Sequence, residues 1–204
     1  MRKIFTFVSV MLLAAASVFA QDSLVSDATS YIKDATCEGV ANWTNNGFKD
    51  NHRNAVYDLF SGFFIEQWAA STAETPAYLA DIDLQQTLAL PNGAYLLSAA
   101  VIAVQQATPD AEVQGVFLYA GDQSIACHTG DGAPVLYSLL AEVTDGSLTI
   151  GFKTEGTDAN WVAVDNFQLT AYPQGVPSQS VAIMLREMKA DVATANATFT
   201  DEVK

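Results

Sequence analysis

Alternation of apolar and polar residues along the middle of the chain predicts β-strands. Residues 84–90 alternate cleanly, which is typical of a strand with one buried face. Residues 94–104 are apolar on both parities, which predicts a central strand covered on both faces. Further strands are predicted at 113–120, 123–128, 135–143, 147–153 and 161–169. The pattern therefore predicts an all-β domain.

Short turn sequences separate these predicted strands. Asn92-Gly93, Gly121-Asp122 and Asp145-Gly146 each favour a tight reversal, so we expect three β-hairpins and antiparallel sheets. Residues 148–172 form a strand, a polar loop and a second strand, which indicates one more, closing hairpin. The expected architecture is an antiparallel β-sandwich of two packed sheets.

The N-terminus has the features of a secretory signal peptide. Arg2 and Lys3 precede an apolar run from Val8 to Ala16, which is too short to span a bilayer. Residues 18 and 20 suit cleavage after Ala20. We therefore expect residues 1–20 to be removed and the protein to be exported, to the periplasm, the cell surface or the medium.

The remaining chain divides into four segments. Residues 21–35 are a polar lead-in, 36–172 the sandwich, and 173–178 a linker rich in Pro and Gly. Residues 179–204 predict a C-terminal α-helix with apolar residues at three-four spacing, at positions 181, 184, 185, 188, 192 and 195. This stripe needs a covering surface, which is either the sandwich itself or a following domain or partner protein.

The charge balance limits the partners. The formal net charge is −14, and removal of residues 1–20, with two basic residues and no acidic one, makes it −16. Nucleic acids and anionic membranes would be repelled. Neutral glycans, cations and basic proteins remain as partners, and no transmembrane span is expected after residue 20.

Four segments carry a family resemblance: LPNGAYLLSAAVIAV, VFLYAGD, VTDGSLTIGFK and ANWVAVDNFQL. Together they resemble the galactose-binding-like β-sandwich modules of secreted carbohydrate-active proteins from Bacteroidetes, over about residues 36–172. The resemblance implies a jelly-roll sandwich that binds glycans without catalysis. It also implies a structural calcium ion between Glu38 and Asp165, although Cys37 stands where such modules typically have an aromatic residue.

Asp165 raises the same question independently of the resemblance. On an ideal strand it shares one parity with Trp161, Ala163, Phe167 and Leu169, so its carboxylate is expected among apolar side chains. The negative charge of a buried carboxylate is costly unless hydrogen-bond donors or a cation stabilise it. It either accepts hydrogen bonds from loop amides or binds a hard cation such as calcium together with other oxygen ligands.

Glycan recognition uses exposed aromatic rings framed by amides and carboxylates. The candidate rings are Trp43, Trp68, Tyr78 and Trp161. Trp43 lies among asparagines, and Trp161 follows Asp158 and Asn160, so we predict Trp43, Trp161, Asp158 and Asn160 as ligand contacts. Trp68 follows an apolar run and is expected in the core. Burial in the core is the competing explanation for every tryptophan.

The two cysteines, Cys37 and Cys127, could form one disulfide in an exported protein or remain as buried free thiols.

Catalytic signatures are weak. Cys127 and His128 are neighbours on a predicted strand, so their side chains point to opposite faces and cannot form a dyad. The sequence contains neither G-x-S-x-G nor H-E-x-x-H. We therefore predict a non-catalytic carbohydrate-binding module. A structural or protein-interaction module is the first alternative, and a small glycan-acting hydrolase, whose carboxylate pair is defined only in space, is the second.

Overall fold

The structure, a computed structural model, describes residues 25–51 and 57–172. Short 3-10 turns lie at Thr29–Tyr31 and Val40–Asn42. The strands of the described residues are β1 (Ser26–Asp27), β2 (Thr44–Asn46), β3 (Lys49–Asn51), β4 (Phe64–Trp68), β5 (Ile82–Ala89), β6 (Gly93–Val104), β7 (Val116–Ala120), β8 (Gln123–Ala126), β9 (Val135–Val143), β10 (Ser147–Thr154) and β11 (Trp161–Tyr172).

These strands form two antiparallel sheets. The six-stranded sheet has the order β3-β4-β11-β6-β9, and β1 pairs with the end of β11. The five-stranded sheet has the order β2-β5-β10-β7-β8. The predicted all-β antiparallel sandwich of two sheets is confirmed. The described residues belong to the first of two compact units, Met1–Pro173.

The hairpin prediction is correct only for β7 and β8, which pair through Gly121-Asp122. The connections β5–β6, β9–β10 and β10–β11 each pass from one sheet to the other, so the other two hairpins and the closing hairpin were wrong. A turn sequence reverses the chain but does not specify which sheet the next strand joins. The β5–β6 and β9–β10 turns lie side by side and are joined by Asn92. Its Nδ2 donates to the Thr144 carbonyl, and its Oδ1 accepts from the Gly146 amide.

The main core lies between the sheets. Along β5 the buried residues alternate as predicted, and along β6 both parities are buried, which confirms a central strand covered on both faces. Large side chains with almost no exposed area fill the space between the sheets: Ile65, Leu84, Leu97, Leu118, Ile150, Phe152, Phe167 and Leu169. Their burial supplies the main hydrophobic stabilisation of the sandwich.

A second, smaller apolar cluster covers part of the outer face of the six-stranded sheet. We call it the outer cluster; it contains Phe60, Phe64, Ala100, Ile102, Val104, Trp161 and Ala163, with Tyr57 packed against it. Tyr57 and Phe60 come from the segment before β4. The Phe60 and Phe64 rings lie 4.8 Å apart, so this segment packs directly on the sheet.

A β-bulge in β11 changes the parity that the sequence suggested. The register with β6 shifts between Asp165 and Gln168, and Asn166 has a φ of 52°, a conformation that Asn tolerates better than most residues. As a result, Phe167 and Leu169 point into the main core, whereas Asp165 faces outward with the outer cluster. The prediction that Asp165 lies on the same face of the strand as Phe167 and Leu169 was therefore wrong.

Pairing within the six-stranded sheet begins at Ser26, inside the segment predicted as a lead-in. The predicted signal peptide (1–20), linker (173–178) and C-terminal helix (179–204) lie outside the described residues. Within residues 25–51 and 57–172 there is no helix that is long and apolar enough to cross a membrane.

Candidate functional site

The three tryptophans have the opposite exposure to that expected. Trp43 and Trp161 are buried, with 6% and 9% of their area exposed, whereas Trp68 is 53% exposed. Trp68 and Trp161 are cross-strand partners on β4 and β11. The outer cluster covers Trp161, whose ring lies 6.2 Å from that of Tyr57, but it does not cover Trp68. The position of the covering segment decides exposure, and the composition of neighbouring residues does not.

Trp43 is part of the main core. Its ring packs at 4.8 Å against Phe167, and its Nε1 has no hydrogen-bond partner among the described residues. A buried donor without a partner costs about 1–3 kcal/mol, so apolar packing must outweigh that cost. The prediction that Trp43 offers an exposed ring to a ligand was wrong.

Asn160 holds together the loops at one end of the sandwich. Its side chain has no exposed area. Oδ1 accepts from the Gln106 amide at 2.7 Å, and Nδ2 donates to the Ala69 carbonyl at 2.6 Å and to Gln106 Oε1 at 3.0 Å. These bonds satisfy both polar atoms of the side chain, so Asn160 positions its neighbours and offers no atom to a ligand.

Asp158 performs a similar task beside it. Its Oδ1 accepts from the Gln114 amide at 2.6 Å, and its carbonyl accepts from Gln105 Nε2 at 2.9 Å. The same Gln105 nitrogen donates to the Ala77 carbonyl at 3.0 Å. The predicted ligand residues Asp158 and Asn160 thus fasten the loops that follow β4, β6 and β10 to one another.

This scaffold supports an exposed aromatic residue. Trp68 Nε1 donates to Gln106 Oε1 at 2.7 Å, and Gln106 is in turn held by the buried Asn160. Trp161, the cross-strand partner of Trp68, is fixed because its Nε1 donates to Glu66 Oε2 at 2.7 Å. The Trp68 ring is therefore held in one orientation although half of its area is exposed.

A second exposed ring, Tyr78, lies at the other end of the β4–β5 loop, with 59% of its area exposed. The two ends of this loop bond to consecutive residues, since the Ala69 amide donates to the Asn160 carbonyl and the Leu79 amide to the Ala159 carbonyl. Trp68, Tyr78 and Gln106 together are called the loop-end surface. Sequence analysis missed Gln105 and Gln106, because an isolated Gln-Gln pair carries no local signal.

The loop-end surface has the chemistry for a neutral polar ligand. Two exposed rings can stack on apolar faces of a ligand. The side-chain amide of Gln106 bonds to Trp68 and Asn160 through Oε1, so these bonds do not use the two N–H donors of its Nε2. The Trp68 ring, which is fixed by a hydrogen bond, loses little conformational entropy on binding.

Asp165 lies apart from that surface, under the segment before β4. Its side chain has no exposed area; Oδ2 accepts from the Ser61 amide at 2.6 Å and from Ser61 Oγ at 3.0 Å, and Oδ1 accepts from the Asn166 amide at 2.6 Å. Burial raises the pKa of Asp165 to about 6, the bonds from Ser61 and Asn166 oppose this rise, and the charge of Glu38 adds to it. The structure thus contains the hydrogen-bonded arrangement that was one of the two expected alternatives.

Glu38 itself is exposed. Within the described residues, no group of three or more His, Cys, Asp and Glu side chains is arranged to hold a metal ion. Two carboxylates and backbone carbonyls are nevertheless the oxygen ligands that calcium prefers. A cation beside Asp165 would also offset its burial and the repulsion from Glu38, so the residues present fit such an ion in donor type.

The two cysteines are buried free thiols, as in the second of the two alternatives, and the candidate disulfide is absent. Burial raises the pKa of Cys127 to about 12 and that of Cys37 well above its ordinary value, with the Asp165 charge adding to the rise at Cys37. Thiols of this kind remain protonated and unreactive at neutral pH.

A depression of about 570 Å³ lies elsewhere, lined by Val25, Ser26, Asp27, Thr29, Gln168 and Thr170. It contains no aromatic side chain, so it offers no ring for stacking.

No protein-family model matches the chain, and the comparison with curated proteins gives no match. Among solved structures, similarity is found to TmCBM61 in complex with β-1,4-galactotriose, at 16% identity and a TM-score of 0.49 over 68% of this chain and 97% of that one. Similarity is also found to a family 16 carbohydrate-binding module (14%, 0.44, over 68% and 98%). A family 35 carbohydrate-binding module from Clostridium thermocellum gives 12% and 0.43 over 65% and 93%. Similarity this low carries no conclusion about the ligand of this chain.

Proposed function

We propose that this protein is an exported, non-catalytic carbohydrate-binding module with a galactose-binding-like jelly-roll fold, and that the loop-end surface binds a neutral glycan. The observation that carries the proposal is Trp68, an exposed ring whose orientation is fixed through Gln106 by the fully buried Asn160. An exposed tryptophan held in this way does not contribute its ring to a core. Its hydrophobic area is available to a ligand.

The chemistry of the surface favours sugars over other small ligands. Sugar rings present apolar C–H faces together with hydroxyl groups, which match stacked aromatic rings beside amide donors. The acidic chain disfavours anionic ligands, given its net charge of −14. Asp158, Asn160 and Trp161 contribute by positioning this surface, not by touching the glycan.

Replacement of Trp68 by alanine tests the proposal. We expect the affinity for a bound glycan to fall at least about tenfold, which is about 1.4 kcal/mol, because truncation of a central aromatic typically costs about 2 kcal/mol or more of binding free energy. The free energy of unfolding should change by less than about 1 kcal/mol, because half of the ring is exposed and it belongs to neither apolar cluster. Affinity electrophoresis against galactan, mannan, xylan and β-glucan, followed by calorimetric titration, measures binding, and urea denaturation measures stability.

Tyr31→Ala is the matched control, since Tyr31 is 47% exposed but lies in the segment between β1 and β2. It removes a similar exposed area at a different place and should leave affinity unchanged. Equal affinity of wild type and Trp68→Ala for every polysaccharide would contradict binding at the loop-end surface.

We also propose that a structural calcium ion binds beside Asp165, with Glu38 as a second ligand. The support is the buried carboxylate whose pKa is raised by burial and by the Glu38 charge, because a cation there would stabilise both charges. Calcium should then raise the Tm of the wild type relative to EDTA, since a ligand bound only by the native state stabilises it. In Asp165→Asn the Tm should be the same in calcium and in EDTA. A wild type that melts identically in both solutions excludes the ion.

The alternative function is protein interaction. It is favoured by Leu136 and Leu140, which are 54% and 40% exposed on the outer side of the edge strand β9. Polar replacement of both residues should leave glycan binding unchanged if the carbohydrate-binding proposal holds.

A further inference from the structure

The outer face of the five-stranded sheet carries two aromatic rings that belong to neither apolar cluster. Alternation along β7 points Phe117 and Tyr119 outward, while Val116, Leu118 and Ala120 are fully buried on the inner side. Both outward rings are half-buried. They lie on the face opposite the main core, so their exposed area contributes nothing to packing between the sheets.

Tyr119 lies flat along the sheet. Its hydroxyl donates to Asp83 Oδ1 at 2.8 Å, and Asp83 is on β5, beyond β10 in the sheet order. Adjacent strands are about 4.8 Å apart, so the side chain must cross β10 to reach β5. It crosses at Gly151, its cross-strand partner, where a Cβ atom would lie only 2.5 Å from Tyr119 Oη and 2.6 Å from Cζ.

Because Gly151 has no side chain, the Tyr119 ring can lie flat against the backbone of β10. One ring face rests on the backbone of β10, and the other points away from the sheet and is partly exposed, with Lys153 Nζ over the ring. This geometry is a flat aromatic platform, and it depends on three strands: the ring from β7, the glycine from β10 and the acceptor from β5.

The platform is held by its neighbours. Asp83 Oδ2 accepts from Gln85 Nε2 at 3.0 Å, which fixes the carboxylate that anchors Tyr119. Burial, and then the bond to Asp83 and its charge, raise the pKa of the Tyr119 hydroxyl, so it remains a donor at neutral pH. The ring thus has one stable position in the absence of a ligand.

Polar groups surround the two rings. Lys153 Nζ lies 5.8 Å from the Phe117 ring centroid and 6.0 Å from that of Tyr119, and it contacts Glu155 Oε2 at 2.8 Å. On the edge strand β2, the exposed residues Thr44 and Asn46 share this face, because they pair with Gln85 and Asp83. On the edge strand β8, the exposed Ser124 shares it as the partner of Tyr119. The face is therefore a broad surface with donors and acceptors beside a central ring.

We propose that this face is a second glycan-binding surface, which takes an internal segment of a neutral polysaccharide chain; its residues are Asp83, Gln85, Phe117, Tyr119 and Lys153. An exposed face of this kind lets a long chain continue past both edges. Asp83 and Glu155 on the face, and the acidic chain as a whole, disfavour an anionic polysaccharide. We call this surface the Tyr119 face.

The Tyr119 face goes beyond the proposed function, because it is built on a different sheet region from the loop-end surface and shares no residue with it. Two surfaces on one domain would bind one long chain, or two neighbouring chains, with greater avidity than either surface alone. Short oligosaccharides would not show this gain, since they cannot reach both surfaces.

The test compares Trp68→Ala, Tyr119→Ala and the double variant against soluble galactan, mannan, xylan and β-glucan. Each single variant should lose at least about tenfold in affinity for the long chain that the wild type binds, and the double variant should show no measurable binding. Wild-type affinity of Tyr119→Ala overturns the Tyr119 face alone, and wild-type affinity of Trp68→Ala overturns the loop-end surface alone. A wild type that binds none of the four overturns both.

Two further measurements guard against a folding defect. Phe117→Ala removes the neighbouring ring without touching the Tyr119–Asp83 bond, and it should also weaken binding of the long chain, whereas Tyr31→Ala should not. In the unmutated protein labelled with ¹³C-tyrosine, the Tyr119 ring signal, assigned with Tyr119→Phe, should shift when polysaccharide is added. An unshifted Tyr119 signal in a protein that binds the polysaccharide overturns the proposal.

Discussion

The outer faces of the two sheets are used in opposite ways. On the six-stranded sheet, Tyr57 and Phe60 from the segment before β4 cover an apolar surface, and Trp161 is buried beneath them. On the five-stranded sheet most outward residues near Tyr119 are polar, and the Tyr119 ring lies flat on Gly151, partly exposed, with Phe117 beside it on the same strand. Aromatic residues occur on both faces, so residue type alone does not show whether a face packs beneath a covering segment.

The difference shows what gives an aromatic side chain its role. The outer cluster is closed by apolar contacts between rings, such as Phe60 on Phe64 at 4.8 Å. The Tyr119 ring is instead fixed by a hydrogen bond at its edge, to Asp83, and Lys153 Nζ lies over it at 6.0 Å from the ring centroid. Trp68 resembles Tyr119 in this respect, because it too is held through its polar atom. Rings anchored at the edge are the candidates for ligand stacking.

The largest expected difference between the two outer faces is in stability, when a phenylalanine on each face is replaced by alanine. Phe64→Ala should lower the free energy of unfolding by about 3–5 kcal/mol, because Phe64 is only 1% exposed and its removal leaves a cavity in the outer cluster. Phe117→Ala should cost about 1 kcal/mol or less, since its ring is half-buried and its main specific contact is with Lys153. Urea denaturation of both variants measures the difference. Equal losses would show that both faces are packing surfaces.

A smaller effect is expected at Asp165, which holds the covering segment through Ser61. The pKa of Asp165 is about 6 in the folded protein and about 3.9 in the unfolded chain, so the native state binds more protons between these values. The contribution of this group to stability is therefore complete below about pH 4 and is lost as the pH rises through about 6. The loss is on the order of 3 kcal/mol.

The test compares the free energies of unfolding of wild type and Asp165→Asn from pH 4 to pH 8. Both proteins are measured in EDTA, so that no calcium ion contributes to the difference. The wild type should lose stability relative to the variant as the pH rises. A constant difference across that range would mean that the Asp165 carboxylate is not protonated near pH 6, and would weaken the view that burial dominates its environment.

Much of the strand pattern follows from local sequence. The strands predicted at 84–90, 94–104, 135–143 and 147–153 correspond to β5, β6, β9 and β10 within a few residues at each end. Alternation and turn residues act over a few positions, so they are legible without the rest of the fold. Strands β2 to β4 are short and alternate poorly, and the pairing of β2 and β4 depends on distant partners, which is why residues 36–68 were not recognised as containing strands.

The candidate site was less predictable. Asp158, Asn160 and Trp161 were predicted as ligand contacts, whereas in the structure they position the loops at one end of the sandwich, and the exposed ring there is Trp68. The bonds that fix Trp68 involve residues 38 and 54 positions apart in sequence, from Trp68 to Gln106 and from Gln106 to Asn160. No local pattern carries such contacts.

The sequence by itself determined that this chain forms an antiparallel sandwich and where its main strands run, because alternation and turn chemistry are local. The tertiary structure decided which sheet each strand joins, which tryptophans are buried and which face Asp165 occupies. These depend on crossings between sheets, on one β-bulge at Asn166 and on a covering segment before β4. Each is a contact between residues far apart in the chain, whose free energy exists only once the sheets have assembled.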